Sequence, residues 1–177
     1  MKVFAIRHGQ TKLNAEGRIQ GRSDLSLNEI GKAQAKNIIN SIPNKIDDIF
    51  VSPLKRAIET AEIINRKFGV NIIIDNLLIE RDFGDFEGEL MSTIDINSLR
   101  RWTDNTKIPN GETIRDVQKR VFTFLDKIKD DYKDKTILIV AHGHVLRPIK
   151  WYFDGLPKEG EEIVIETETG SFMFFDL

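Results

Sequence analysis

Short runs of aliphatic residues alternate along the chain with longer stretches in which apolar residues recur every three or four positions. The short runs lack the polar alternation of a strand with one wet face, so they predict strands buried on both sides. They fall at residues 3–6, 48–51, 71–74 and 136–141, with two more at 162–166 and 171–175. The last two are separated by "TETG", a hairpin-like connection that predicts an antiparallel edge. The longer stretches predict helices. The first covers residues 28–41, with Leu27, Ile30, Ala35, Ile38 and Ile42 along one face. The second opens in "SPLKRAIETAEIINRKFG", with Ser52 as N-cap, Pro53 in the first turn, a stripe of Ala57, Ala61, Ile64 and Phe68, and Gly69 as the stop. The third covers residues 113–132, where Ile114, Val117, Val121, Leu125 and Ile128 share a side and Thr113 with Asp116 forms a capping box. The fourth follows His142 and runs to about Phe153. This alternation predicts a three-layer α/β/α fold: a mostly parallel central sheet, helices on both faces and an antiparallel edge strand.

Composition narrows the picture. A chain of 177 residues, 40% hydrophobic and 31% charged, is expected to form one domain over residues 1–177. With a net charge of −2 there is no general attraction to nucleic acid or anionic lipid, and any anion site must be local. The absence of cysteine excludes disulfides, thiolate catalysis and thiolate-bound zinc. No apolar run approaches the ~18 residues of a membrane span, and no signal-peptide core stands at the N-terminus, so a cytoplasmic protein is expected. Nothing in the residues sets an oligomeric state.

Ligands of open α/β sheets gather beyond the carboxyl ends of the strands. Four unusual clusters sit there: Arg7-His8-Gly9, Ser52 to Arg56, Leu78 to Gly88, and His142-Gly143-His144. All three histidines of the chain lie at such junctions. An arginine closing a buried strand needs a negative partner, and none is adjacent in sequence. A phosphoryl group flanked by Arg7, Arg56, His8 and His142 supplies it. Two guanidiniums engage its oxygens bidentately, and Gly9 and Gly143 let backbone amides approach. Positive neighbours disfavour imidazolium, which lowers the pKa of His8 and leaves a ring nitrogen able to attack phosphorus. The arginines also carry the charge stabilisation that Mg²⁺ gives elsewhere, so neither metal nor cofactor is expected.

The motifs "RHGQT", "SPLKRAIETA", "LLIERDFGDFEG", "PNGET" and "VAHGHVLR" resemble, in order and spacing, those of the histidine phosphatase superfamily, the group containing cofactor-dependent phosphoglycerate mutase. The likeness runs from Lys2 to about Arg147. It implies a phosphoglycerate mutase-like fold, phosphorylation of His8, a phosphate pocket completed by Arg7, Arg56 and His142, and Glu80 as general acid. It further implies contacts from Asn14, Gln20, the Gly21 backbone and the Gly143 amide, and a small phosphorylated metabolite as substrate. Glu80 follows Leu77, Leu78 and Ile79 and is expected to leave a buried segment with a raised pKa. Glu87 is the competing acid and is assigned to loop support, while Glu112 stands open between helix start and pocket. His144 has a potential substrate-side role, and Ser52 is read as a cap. The leading function is phosphomonoester hydrolysis. Against a mutase stands the absence of the covering insertion before Glu112; for it stands the Arg100-Arg101 pair, suited to a carboxylate. A non-catalytic phosphate binder is the third reading. Specificity is expected in the loop from Asp85 to Asn110, with Phe83, Phe86, Met91 and Trp102 as walls.

Overall fold

A computed structural model of the chain describes residues 1–102, 104–158 and 168–176. Strand β1 (Lys2–Arg7) leads through a one-turn helix α1 (Lys12–Ala15) to α2 (Glu29–Asn37). Then come β2 (Asp48–Val51), α3 (Lys55–Phe68) and β3 (Asn71–Ile74). A long stretch of short turns carries only α4 (Ile96–Arg100) before α5 (Ile114–Ile128), β4 (Thr136–Ala141), α6 (Gly143–Asp154) and β5 (Phe172–Asp176). The sheet order is β3-β2-β4-β1-β5, parallel except for β5, which pairs antiparallel with β1. The expected strand at 162–166 and the start of its hairpin lie outside the described residues.

β4 shows why its sequence lacks polar alternation. Ile137, Ile139 and Ala141 enter one core with Val117, Val121 and Leu125 of α5 and Val145, Leu146 and Ile149 of α6. Leu138 and Val140 enter the opposite core with Ala57, Ala61 and Ile64 of α3. Both faces are dry, so both sets of side chains must be apolar. The chain leaving β1 passes to α2 on one face, and the chain leaving its neighbour β4 passes to α6 on the other. Adjacent strands whose connections diverge in this way open a crevice at their carboxyl ends.

Two expectations about the helices need correction. Ile30 is 58% exposed, and the inward positions are Leu27, Gly31, Ala35, Ile38 and Ile42. A glycine occupies the face there because the loop after β1 presses on it: a Cβ on Gly9 would meet the Gly31 carbonyl oxygen at 2.3 Å. Ser52 is not an N-cap either. α3 begins at Lys55 with Leu54 in the cap position and no side-chain cap bond, since Pro53 keeps the preceding residues extended and Ser52 is drawn elsewhere. The Thr113–Asp116 capping box and the left-handed Gly69 stop (φ 63°) are as expected. A small third core of Ile19, Phe83, Leu99 and Ile108 underlies the loops at the crevice.

Candidate active site

His8 and His142 meet although 134 positions separate them (142 − 8): their ring centroids lie 5.0 Å apart at 58°. The register explains this, because Arg7 pairs with Ala141 and the His8 amide donates to the Ala141 carbonyl at 3.0 Å. His8 Nδ1 donates to the Gly9 carbonyl at 2.7 Å. That bond places the ring proton on Nδ1 and the lone pair on Nε2. Arg56 Nε donates to this nitrogen at 3.2 Å.

Arg56 is 1% exposed and reaches His8 from α3 through a turn built to hold it. Its Nη1 and Nη2 donate to the Ser23 and Gly21 carbonyls at 2.8 and 2.7 Å. The Gln20 amide, turned so that its oxygen faces the guanidinium, accepts at 2.6 and 2.9 Å. Glu87 holds the turn in place, accepting from the Arg22 and Ser23 amides at 2.7 and 3.0 Å, which matches its assignment to loop support. Gly21 sits at φ 51°, where a Cβ would strike the Glu87 carboxylate.

Arg7, His8, Asn14, Gln20, Gly21, Arg56, Glu80 and Gly143 line one pocket. His142 does not line it and stands behind His8, fully buried, with Nε2 bonded to Ser52 Oγ at 2.6 Å. Ser52 therefore orients a site histidine, a role its Ser-Pro context conceals. Asn14 Oδ1 is taken by Thr11 of the α1 capping box, at 3.2 Å from the amide and 3.0 Å from the hydroxyl. Glu80 Oε1 accepts from the Arg81 amide at 2.8 Å, and Oε2 lies 3.9 Å from His144 Nδ1. Arg18, Arg100 and Arg147 also line the pocket, and Glu80 is the one acidic side chain among its described lining residues. The motifs alone do not single out Arg18 or Arg147. Arg147 follows His144 by one helical turn, which is the signal that could have found it.

The Arg100-Arg101 pair does not act together: Arg100 lines the pocket, while Arg101 Nε pairs with Asp104 at 2.8 Å. Glu112 ties loops together, with Arg22 and Arg120 both at 3.1 Å, and is not among the lining residues. Phe83 and Met91 are pocket walls; Phe86 packs in the third core, and Trp102 stacks edge-on against Trp151 at 5.4 Å.

Burial pushes the pKa of His8 well down, with Arg56 and Arg7 adding to the effect. Burial and then Arg56 do the same to His142. Glu80 departs from expectation. Burial raises its carboxyl, but His144, His142 and the Arg81 amide outweigh this and hold it well below the usual range. Buried histidines that stay neutral make folding sensitive to acid. The unfolded chain takes up their protons below an ordinary imidazole pKa of about 6.5 while the folded chain does not, so stability is lost as pH falls below that value. With His8, His142 and His144 all lowered, the unfolding free energy from urea titration should fall between about pH 6.5 and 5, each histidine's slope approaching ~1.4 kcal/mol per pH unit. A flat profile over that window would show that these rings protonate in the folded state.

A mostly parallel sheet with an arginine- and histidine-lined crevice at its switch point defines the class of this α/β protein. The chain belongs to the histidine phosphatase superfamily (branch 1), whose family model matches residues 3–171. Phosphoglycerate mutase-like protein 4 of Arabidopsis thaliana is 34% identical, over 99% of this chain and 80% of the relative. The uncharacterized phosphatase PhoE of Bacillus subtilis is 37% identical, over 83% of this chain and 74% of its own. The crystal structure of TTHB049 from Thermus thermophilus superposes with a TM-score of 0.77 at 31% identity, covering 99% of this chain and 94% of that one. No helix among the described residues is long and apolar enough to cross a membrane.

Proposed function

We propose that the pocket hydrolyses the phosphomonoester of a small metabolite through a phosphohistidine on His8. The observation that carries this reading is the state of the His8 ring: buried, neutral, its proton fixed on Nδ1 by the Gly9 carbonyl, and its Nε2 lone pair set among guanidiniums. Arg7 and Arg56 bind the equatorial oxygens, the Asn14 nitrogen, the Gly21 backbone and the Gly143 amide complete the cradle, and the Gln20 oxygen holds the Arg56 guanidinium. The first amides of a helix lack intrahelical partners and favour an anion, which suits the start of α6 to this task. His142, whose Nε2 is held by Ser52 Oγ, packs against the His8 ring and backs the nucleophile. Nε2 attacks phosphorus as the P–O ester bond breaks, and Glu80 protonates the departing oxygen. Water then attacks the phosphohistidine, giving its proton to the Glu80 carboxylate, and His8 is regenerated. Glu80 is ionised in the empty pocket, so its proton must arrive with the substrate. A dianion beside the carboxylate raises its proton affinity, which gives binding that consequence.

The arginines supply the charge that a metal would otherwise bring, so p-nitrophenyl phosphate should turn over fully in EDTA. Radiolabelled substrate quenched in alkali should leave an acid-labile phosphate on the peptide carrying His8. No turnover and no label would leave phosphate binding alone. With 3-phosphoglycerate and catalytic 2,3-bisphosphoglycerate, inorganic phosphate should appear faster than 2-phosphoglycerate; the opposite order would make the protein a mutase.

A further inference from the structure

His144, the third histidine of the chain, has no task in the steps above. It occupies the second position of α6, buried, with its ring edge-on to Phe83 at 4.9 Å and 77°. Its Nδ1 lies 3.9 Å from Glu80 Oε2, longer than a hydrogen bond but within ion-pair reach. The other oxygen of Glu80 is occupied by the Arg81 amide at 2.8 Å. The oxygen left to exchange a proton therefore faces the imidazole. His144 Nε2 has no hydrogen-bond partner among the described residues, so no second bond dictates the tautomer of this ring.

We propose that His144 is a positioning residue for Glu80 and that the two side chains hold jointly the proton given to the leaving oxygen. This rests on the reading of His8 as nucleophile and Glu80 as acid. The charges around the pair set when it loads. Glu80 faces Arg7, Arg56, Arg81, Arg147 and His142, and His144 faces Arg81 and Arg147 as well as Glu80. With the pocket empty the guanidiniums keep the extra proton out, and burial brings the imidazole down to about 4. Arrival of a dianionic phosphate offsets the cations and admits one proton from solvent. A carboxyl alone holds a proton poorly at neutral pH, whereas an imidazole has an intrinsic pKa about two units higher. Two coupled sites titrate together, so the pair stays loaded where a lone glutamic acid would be empty.

The proton balance closes without another reactant. As the His8 Nε2 lone pair forms the P–N bond, the ester oxygen leaves with the P–O electrons and takes the proton from Glu80 Oε2, leaving the pair one proton poorer. In the second half a water oxygen attacks phosphorus, its proton returns to the pair, and the P–N electrons go back to His8. One ester and one water give one alcohol and one phosphate.

The test compares His144→Gln, which keeps a side-chain donor but cannot store a proton, with His144→Ala and with Glu80→Gln. Turnover of p-nitrophenyl phosphate and of an alkyl phosphate is followed against pH, alongside phosphate trapping on His8. The expected result is that both His144 variants still label His8, yet lose roughly tenfold more activity on the alkyl ester than on the nitrophenyl ester. The alkaline limb of their kcat profile should also move down by about one pH unit, whereas Glu80→Gln, with no acid to titrate, should lose that limb. Equal losses on both esters with an unmoved limb would overturn the proposal. So would a wild-type limb in His144→Gln, which would reduce the residue to a hydrogen-bond donor. Should the wild-type chain itself fail to label, the nucleophile reading falls first and this one with it.

Discussion

Replacing His8 with alanine should abolish phosphoenzyme formation and lower kcat by ~10⁴-fold or more. The size follows from the ring's double engagement. Nδ1 is bonded to the Gly9 carbonyl and Nε2 faces Arg56, so no other side chain can present a lone pair at that point. His142 is no substitute, since it stands behind His8 with Nε2 committed to Ser52 Oγ. Alanine leaves the Gly9 carbonyl unpartnered in a buried place, so His8→Asn, polar but unable to carry phosphate, is the companion variant. Both should be equally dead in the trapping assay. Both should also lose part of the acid sensitivity of folding, because one of the three buried neutral imidazoles is gone. A variant that still turned over p-nitrophenyl phosphate at a tenth of the wild-type rate would remove His8 from the nucleophile role.

The sequence discloses the sheet and the convergence of its strand ends because both depend on local pattern. The aliphatic runs of β1, β2 and β4 are continuous for the reason that both faces are buried, and the His-Gly pairs stand where β1 and β4 end. Periodicity misplaces Ile30 because hydrophobicity cannot show that a backbone, that of Gly9 and Gln10, covers the inward position at Gly31. Ser52 misleads for a related reason: its partner is 90 residues away, and a Ser-Pro pair before a helix also has a local meaning. The acidity of Glu80 comes out with the wrong sign. Its apolar predecessors announce burial, but His144 and His142, which with the adjacent Arg81 amide outweigh burial, are brought beside it only by the fold. Local burial is legible in a sequence, whereas the field at a site is a sum over elements distant along the chain.

Arg56→Lys should cost ~10³-fold in kcat/KM while retaining a positive charge. Lysine is a point cation on a flexible stem, and Arg56 acts as a planar fork. Its two Nη groups are fixed on the Ser23 and Gly21 carbonyls, which aims Nε at His8 and makes the guanidinium part of the wall rather than a mobile counter-ion. An ammonium cannot satisfy both carbonyls and also meet a phosphate oxygen in line with His8. Urea titration should show a second consequence, because each buried carbonyl left without a donor costs about 1–3 kcal/mol. Arg56→Ala separates charge from geometry. Removing the cation relieves one of the influences that lower the His8 pKa, so the acid limb of the activity profile should move to higher pH, an effect the lysine variant should show far less. An acid limb displaced equally in both would mean that the fork's geometry, and not its charge, keeps His8 neutral. Rates within tenfold of wild type in Arg56→Lys would mean that charge alone suffices for transfer, and the case for a rigid guanidinium wall would fail.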